Sequence, residues 1–142
     1  MNEPRFRILL VEDNAGDVYL FRKALTEAQV TFDWTVLEDG AQALAFVRGE
    51  STYAHIPIPD LVLLDLNLPK NGGIQVLTAI RQHPRLAVVP VIVTSSSQSP
   101  RDQAETARLG IECYLRKPPD LEEFMQIGAK LKEVLIRKMR SI

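Results

Sequence analysis

Short aliphatic runs alternate along this chain with longer segments in which apolar residues recur at a helical spacing. In the clearest run, residues 61–64 are all aliphatic, and the run lies between Pro59 and Pro69. Such a continuous run is typical of a strand buried on both faces. Five strands alternating with five helices predict an α/β protein whose parallel sheet is covered on both sides. The predicted strands lie near 7–12, 33–38, 61–66, 90–95 and 111–115, and the predicted helices near 16–28, 40–48, 73–82, 101–109 and 120–138.

Capping and turn-forming residues mark the ends of several predicted helices. Asp39-Gly40, Asn71-Gly72 and Ser99-Pro100 are typical of helix starts, and Gly110 is typical of a helix end. The stretch 48–60 is long for a helix-to-strand connection, so we expect a surface excursion there. No internal repeat or linker divides the chain.

The composition narrows the classes of protein that fit this pattern. A chain of 142 residues with 46% hydrophobic content is the size of one domain, so we expect a single domain over residues 1–142 with no separate output domain. Seventeen basic and 18 acidic residues give a formal charge of -1, which disfavours nucleic acid and anionic membranes as partners. The single cysteine, Cys113, cannot form an internal disulfide. With no signal peptide and no membrane-length apolar run, the sequence predicts a cytoplasmic protein.

Acidic residues follow two of the buried strands. Glu12 and Asp13 end the run 8–11, and Asp65 ends the run 61–64. In an open parallel sheet, ligands bind beyond the carboxyl ends of the strands, where the strand order reverses. Three converging carboxylates repel one another unless a cation joins them, and hard divalent ions prefer oxygen ligands. The sequence therefore predicts a magnesium site at this edge.

Two further strand ends add a hydroxyl and an amine. The fourth run closes with Thr94 and Ser95, and the fifth is followed by Lys117. A carboxylate with a metal ion on one side and an ammonium on the other is suited to accept a phosphoryl group, because the cations neutralise its oxygens during transfer.

In this order, the motifs resemble the receiver domain of two-component response regulators, a family related in fold to the chemotaxis regulator and to flavodoxin. The resemblance covers about residues 5–138 and implies a doubly wound, flavodoxin-like (βα)5 fold with the strand order 2-1-3-4-5. The motifs that carry it are Val11-Glu12-Asp13-Asn14, Leu64-Asp65-Leu66-Asn67-Leu68-Pro69, Pro90 to Ser95, and Lys117-Pro118.

The resemblance assigns a role to each matching residue. Asp65 would be the phosphoacceptor, and Lys117 would pair with the phosphoryl oxygens. Ser95 falls at the switch hydroxyl and Tyr114 at the aromatic switch position, although a fixed, half-buried ring is an equal alternative for Tyr114. Mg²⁺, or Mn²⁺ as an alternative ion, would be held by Glu12, Asp13, Asp65 and the backbone carbonyl of Asn67.

The family also implies how such a protein works. A sensor histidine kinase would donate the phosphoryl group, and the receiver would catalyse its own phosphotransfer and dephosphorylation without being an enzyme in the usual sense. Phosphorylation would draw Ser95 inward, and Tyr114 would follow. A cis bond between Lys117 and Pro118 is also implied.

Several stretches are similar to the regulators that serve phytochrome-type histidine kinases. These stretches include the lead-in 57–60 and the motifs at 83–86, 95–97 and 117–124. The resemblance implies a phytochrome-type kinase as partner and a homodimer, and a downstream phosphotransfer protein is a further expected partner.

The last predicted helix has more apolar residues than one core stripe requires. One face carries seven small or apolar residues, and Ile127, Val134 and Ile136 lie outside it. These extra positions indicate either a protein contact or a broad buried face.

Three other classes of protein share parts of this pattern. A magnesium-dependent phosphatase of the haloacid-dehalogenase type needs a second acid where this chain has Asn67. A flavodoxin-like cofactor carrier needs a phosphate-binding loop where this chain has the acidic stretch 14–17. A phosphorylation-independent, receiver-like binding module would not need the complete set of site residues.

Overall fold

The computed structural model of the chain describes residues 4–69 and 72–140 and contains one five-stranded parallel sheet. Its strand order is β2-β1-β3-β4-β5, which confirms the doubly wound α/β fold predicted above. The strands are β1 (Arg5–Val11), β2 (Thr31–Leu37), β3 (Leu61–Asp65), β4 (Val91–Ser95) and β5 (Cys113–Arg116). The helices are α1 (Ala15–Glu27), α2 (Gly40–Val47), α3 (Gly73–Gln82), α4 (Pro100–Leu109) and α5 (Leu121–Arg140), with a 3-10 turn at Ser51–Tyr53.

The sheet separates two hydrophobic cores because alternate side chains of a strand point to opposite faces. One core lies under α2 and α3, and the other lies under α1 and α5. β3 is buried at every position, as its continuous aliphatic run predicts. The central strands are therefore fixed on both sides, and their carboxyl ends are held in place.

β1 and the two edge strands, β2 and β5, differ most from their predicted bounds. β1 and β2 each begin two residues before the predicted start, because the paired ladder also includes Arg5-Phe6 and Thr31-Phe32, which lie outside the aliphatic runs. An aliphatic run marks only the buried part of a strand, so it cannot show such an extension. β5 begins two residues later than predicted.

The predicted helix starts are confirmed where the structure describes them. Asp39 and Ser99 cap α2 and α4 by accepting hydrogen bonds from the backbone N–H groups of Gln42 and Asp102. Gly72 is the N-cap residue of α3 and provides no side-chain cap, and Asn71 lies outside the described residues. Gly110 ends α4 at a φ of 84°, a left-handed conformation that favours glycine.

The last helix has a broad buried face. Ile127 and Val134, which the pattern left outside the core stripe, are 7% and 0% exposed, because α5 lies in the groove between the sheet and α1. Leu121 and Met139 are exposed instead. Core packing therefore accounts for Ile127 and Val134. No helix of the described chain has both the length and the apolar character needed to cross a membrane.

Two glycines permit close backbone contacts. A Cβ added to Gly73 would lie 2.6 Å from Leu66 Cα and 2.8 Å from Asp65 O, so only glycine lets α3 begin directly against the end of β3. A Cβ on Gly128 would lie 2.1 Å from Ala24 O. Because Gly128 has no Cβ, α5 can pack directly against α1.

Candidate functional site

The carboxyl ends of β1 and β3 bring three acids together where the strand order reverses. Glu12 follows β1, and its N–H extends the ladder by donating to Leu37 O at 2.9 Å. Asp65 is the last residue of β3. Carboxylate oxygens of Glu12, Asp13 and Asp65 lie within 4.8 Å of one another. Glu12 and Asp65 are buried and Asp13 is exposed, so the cluster opens to solvent on one side.

Lys117 brings an ammonium into this cluster. Its Nζ lies 2.6 Å from Glu12 Oε1, 2.9 Å from Asp17 Oδ2 and 3.2 Å from Asp65 Oδ2. Its backbone N–H donates to Ser95 O at 2.8 Å, which fixes the chain directly after β5. The cis bond implied before Pro118 is wrong, since no cis peptide bond occurs in the described chain. With this bond trans, the form that X–Pro bonds prefer, the ammonium contacts all three carboxylates.

Asp17 is a member of this cluster that the sequence did not identify. Asn14 caps α1 by accepting from the backbone N–H of Asp17, and this places the Asp17 carboxylate in the first turn, facing Lys117. The available signal was an acid three residues after a capping asparagine. The pattern of strand ends gave no reason to place this helical residue against Lys117.

Burial and the closeness of charged groups shift the pKa values of two residues in this cluster. Burial raises the pKa of Glu12 to about 8; the nearby Asp65 also raises it, and Lys117 opposes the shift. Burial alone would lower the pKa of Lys117, but its hydrogen bonds to Glu12 and Asp17 outweigh this effect and raise it. Lys117 is therefore held as a cation among carboxylates that repel one another.

A chain of hydrogen bonds leads from Asp65 to the end of β4. Asp65 Oδ1 accepts from the backbone N–H of Asn67 at 2.9 Å. The side-chain amide of Asn67 donates to Ser95 Oγ at 3.2 Å. Ser95 and Thr94 are both buried. The Thr94 Oγ1 has no hydrogen-bond partner among the described residues. Of the two hydroxyls, that of Ser95 is connected to Asp65 through Asn67.

The same chain of hydrogen bonds continues to Tyr114. Ser95 Oγ accepts from the backbone N–H of Ser97 at 3.1 Å and lies 3.3 Å from Ser97 Oγ. The Tyr114 hydroxyl donates to Ser97 O at 3.1 Å, and the ring is half-buried. A shift of the Ser95 hydroxyl would therefore change the contacts of the loop that holds Tyr114.

The fold and this arrangement define a class of protein. A doubly wound α/β sheet that carries a buried aspartate, two further acids and a lysine at its switch point can bind a divalent cation and stabilise an anion next to the aspartate.

The family follows from comparison with known proteins. Residues 8–128 match the model of the response regulator receiver domain, and the chain belongs to this family. Response regulator Rcp1 of Synechocystis sp. is 37% identical over 126 residues, which are 89% of this chain and 85% of that protein.

Two solved structures are similar in both sequence and fold. The phosphorylated cyanobacterial phytochrome response regulator RcpA is 38% identical, with a TM-score of 0.87 over 94% of this chain and 95% of that chain. The Mn²⁺-bound form of Rcp1 is 35% identical, with a TM-score of 0.83 over 89% of this chain and 91% of that chain.

Proposed function

We propose that Asp65 accepts a phosphoryl group and that its phosphorylation switches the protein-binding surface of the molecule. The observation that carries the proposal is the position of Asp65, 3.2 Å from Lys117 Nζ and within 4.8 Å of carboxylate oxygens of Glu12 and Asp13. In the transfer, an Asp65 oxygen forms a bond to phosphorus while the P–N bond of a phosphohistidine breaks. The leaving imidazole nitrogen takes up a proton, so the step needs no further reactant.

The residues around Asp65 fit a divalent cation. Glu12, Asp13 and Asp65 offer carboxylate oxygens within one small volume, and all-oxygen sets suit Mg²⁺ and Mn²⁺. We assign the backbone carbonyl of Asn67 as a further ligand. When bound, the cation supplies charge that neutralises phosphoryl oxygens. The Mn²⁺-bound form described for Rcp1 supports the binding of a divalent cation.

Lys117 and Ser95 act on the phosphoryl group from two other directions. Lys117 is already paired with Asp65, so its ammonium would stabilise the charge that develops on the phosphoryl oxygens. The Ser95 hydroxyl would donate to the phosphorylated side chain and give up its contacts with Asn67 and Ser97. Tyr114 would then lose its fixed acceptor at Ser97 O and move. Autodephosphorylation would occur at the same site.

The partners of the chain are inferred from its relatives. A sensor histidine kinase is the expected phosphoryl donor of a receiver. The similarity to RcpA, described as a phytochrome response regulator, supports a phytochrome-type kinase as that donor. We infer that the receiver works as one cytoplasmic domain that passes its signal through protein contacts, including a phosphotransfer protein.

The proposal is tested by intact mass after incubation with acetyl phosphate and Mg²⁺. Wild-type protein should gain one phosphoryl group, and the gain should disappear with a chelator and in Asp65→Asn. The matched control is Asp60→Asn, because Asp60 lies just before β3, at the strand end opposite to Asp65, and its carboxylate accepts from the backbone N–H of Arg7. This control should be phosphorylated like wild type. No gain in wild type, together with no binding of beryllofluoride, would refute the proposal, since the second test excludes rapid hydrolysis.

A further inference from the structure

Lys117 has three carboxylate partners, and one of them lies outside the proposed cation site. Its Nζ contacts Glu12 at 2.6 Å, Asp17 at 2.9 Å and Asp65 at 3.2 Å. Glu12 and Asp65, together with Asp13, are also the acids whose oxygens lie close enough to share a metal ion. Among the described residues, that group does not include Asp17. A cation bound there therefore takes two of the partners of Lys117 and leaves it the third.

The ammonium of Lys117 depends on such a partner because it has little access to solvent. The side chain is 12% exposed, and the backbone N–H donates to Ser95 O, which fixes the residue after β5. Burying an ammonium without an acceptor or an opposite charge is unfavourable. A divalent cation among the neighbouring carboxylates also repels it. Asp17 is the carboxylate in contact with Lys117 that such a cation does not occupy.

Helix α1 fixes the position of the Asp17 carboxylate. Asn14 caps the helix by accepting from the Asp17 backbone N–H at 3.0 Å. The buried face of α1 packs into the core that it shares with α5, so the first turn cannot shift freely. The Asp17 side chain is 24% exposed, which leaves its charge only partly screened by water. The carboxylate is therefore held in advance on the α1 side of the acidic cluster.

The direction of the Asp17 side chain is not explained by helix stability alone. An acid in the first turn interacts favourably with the helix dipole wherever its side chain points. The Asp17 carboxylate points to the ammonium of a residue 100 positions away in the chain. This contact joins α1 to the loop after β5, so it belongs to the site as well as to the helix.

We propose that Asp17 is a positioning residue that holds the Lys117 ammonium next to Asp65 while a divalent cation occupies Glu12 and Asp65. This role rests on the proposed function, in which Asp65 is the phosphoacceptor. Asp17 acts through Lys117: it draws the ammonium away from the carboxylates that the cation needs and keeps it near the phosphoryl oxygens, whose charge it stabilises. Without Asp17, the remaining partners of Lys117 are ligands of the cation, so the two cations compete more strongly.

A double-mutant cycle on Mg²⁺ affinity tests the proposal without a phosphoryl donor. In isothermal titration calorimetry, Asp17→Asn should lower Mg²⁺ affinity by about tenfold. In a Lys117→Gln background, the same change should lower it by about twofold or less, because only the direct attraction between Asp17 and the cation is lost. Asp17→Glu keeps the charge and should recover most of the affinity. Glu122→Gln is the matched control, because Glu122 is an exposed first-turn acid of α5, and it should bind Mg²⁺ like wild type.

Phosphorylation by acetyl phosphate at saturating Mg²⁺ gives a second measurement. The rate, followed by intact mass, should fall by about tenfold in Asp17→Asn and should not fall further when this change is added to Lys117→Gln. Equal losses of Mg²⁺ affinity in both backgrounds, or an unchanged rate in Asp17→Asn, would overturn the proposal, since Asp17 would then not act through Lys117. A wild type that shows the predicted coupling in Mg²⁺ affinity but gains no phosphoryl group would refute the proposed function and support the link between Asp17 and Lys117.

Discussion

Ser95 joins the phosphoacceptor to the rest of the molecule through its hydroxyl. It accepts hydrogen bonds from Asn67 and Ser97, and Tyr114 donates to Ser97 O. Ser95→Ala should therefore retain the phosphoryl gain seen by intact mass and weaken the response of the α4–β5 surface. Amide chemical shifts with and without beryllofluoride measure this response. Shift changes as large in the variant as in wild type would exclude Ser95 as the switch.

Lys117 competes with a divalent cation for the same carboxylates. Lys117→Gln removes the ammonium near Glu12 and Asp65, so the rate of phosphorylation by acetyl phosphate should fall by about 10²-fold or more. Mg²⁺ affinity should rise by about tenfold, because repulsion between the two cations is lost. Mass time courses and Mg²⁺ titrations measure the two effects. Lys132→Gln is the control, since its ammonium contacts Ala28 O. Parallel loss of rate and of Mg²⁺ affinity would contradict this account.

Cys113 provides a pH-dependent test of burial at the start of β5. Burial raises the pKa of its thiol above the ordinary value of about 8.5, although Lys130 and Arg137 partly oppose the shift. The folded protein holds the thiol proton more tightly, so the free energy of unfolding should fall as pH rises through that ordinary value. The alkylation rate of Cys113 should keep rising at pH values where the rate in the denatured protein has levelled off. Coincident pH profiles would show that the thiol is solvated.

Among the residues of the site, the sequence identifies those that lie at strand ends. Glu12, Asp13, Asp65, Ser95 and Lys117 follow or close aliphatic runs, and parallel strands bring their carboxyl ends to one edge. Asp17 could not be identified in this way because it lies on a helix, and its distance from Lys117 depends on how α1 packs. The hydrogen-bonded path through Asn67 and Ser97 was also hidden, since it runs through loop backbone.

The packing of α5 on α1 depends on one glycine. An added Cβ on Gly128 would lie 2.1 Å from a backbone oxygen of α1, so the helices would have to move apart. Gly128→Ala should lower the free energy of unfolding by about 1–3 kcal/mol in urea denaturation. Gly72→Ala is the control, because nothing lies within 4 Å of its added Cβ and its φ of -65° suits alanine. Equal losses in both variants would show that the close helix approach is relaxed in solution.

Among the helices and strands, the bounds of those that are buried were predicted more accurately than the starts of β1 and β2. The bounds of β3 and α3 were close because a strand buried on both faces and an amphipathic helix each leave a clear hydrophobic pattern. The starts of β1 and β2 were missed since polar residues there pair through the backbone. Of the two alternatives left open for the extra apolar positions of α5, the burial of Ile127 and Val134 favours the broad buried face, because a helix between a sheet and a second helix buries more than one stripe.

For the whole molecule, the alternation of strands and helices in the sequence predicted the layers of the fold. The strand order rested on the family resemblance, because many strand orders are compatible with the same alternation.

Acidic side chains that repel one another lie close together at one end of the sheet. Glu12, Asp13, Asp17 and Asp65 meet one ammonium there, so the folded state retains an excess of negative charge at this edge. A divalent cation that binds only the folded state should relieve this repulsion and stabilise the entire domain.

Thermal unfolding with Mg²⁺ or with a chelator at equal ionic strength measures that stabilisation. At a Mg²⁺ concentration about 100 times the dissociation constant, the free energy of unfolding should rise by about 2.7 kcal/mol. Asp13→Asn should lose most of this increment, and its chelated form should be at least as stable as wild type, because one of the repelling carboxylates is gone. Glu122→Gln, an exposed acid in the first turn of α5, should keep the increment. If Asp13→Asn gained as much from Mg²⁺ as wild type, the ion would be acting by general screening and Asp13 would not be a ligand.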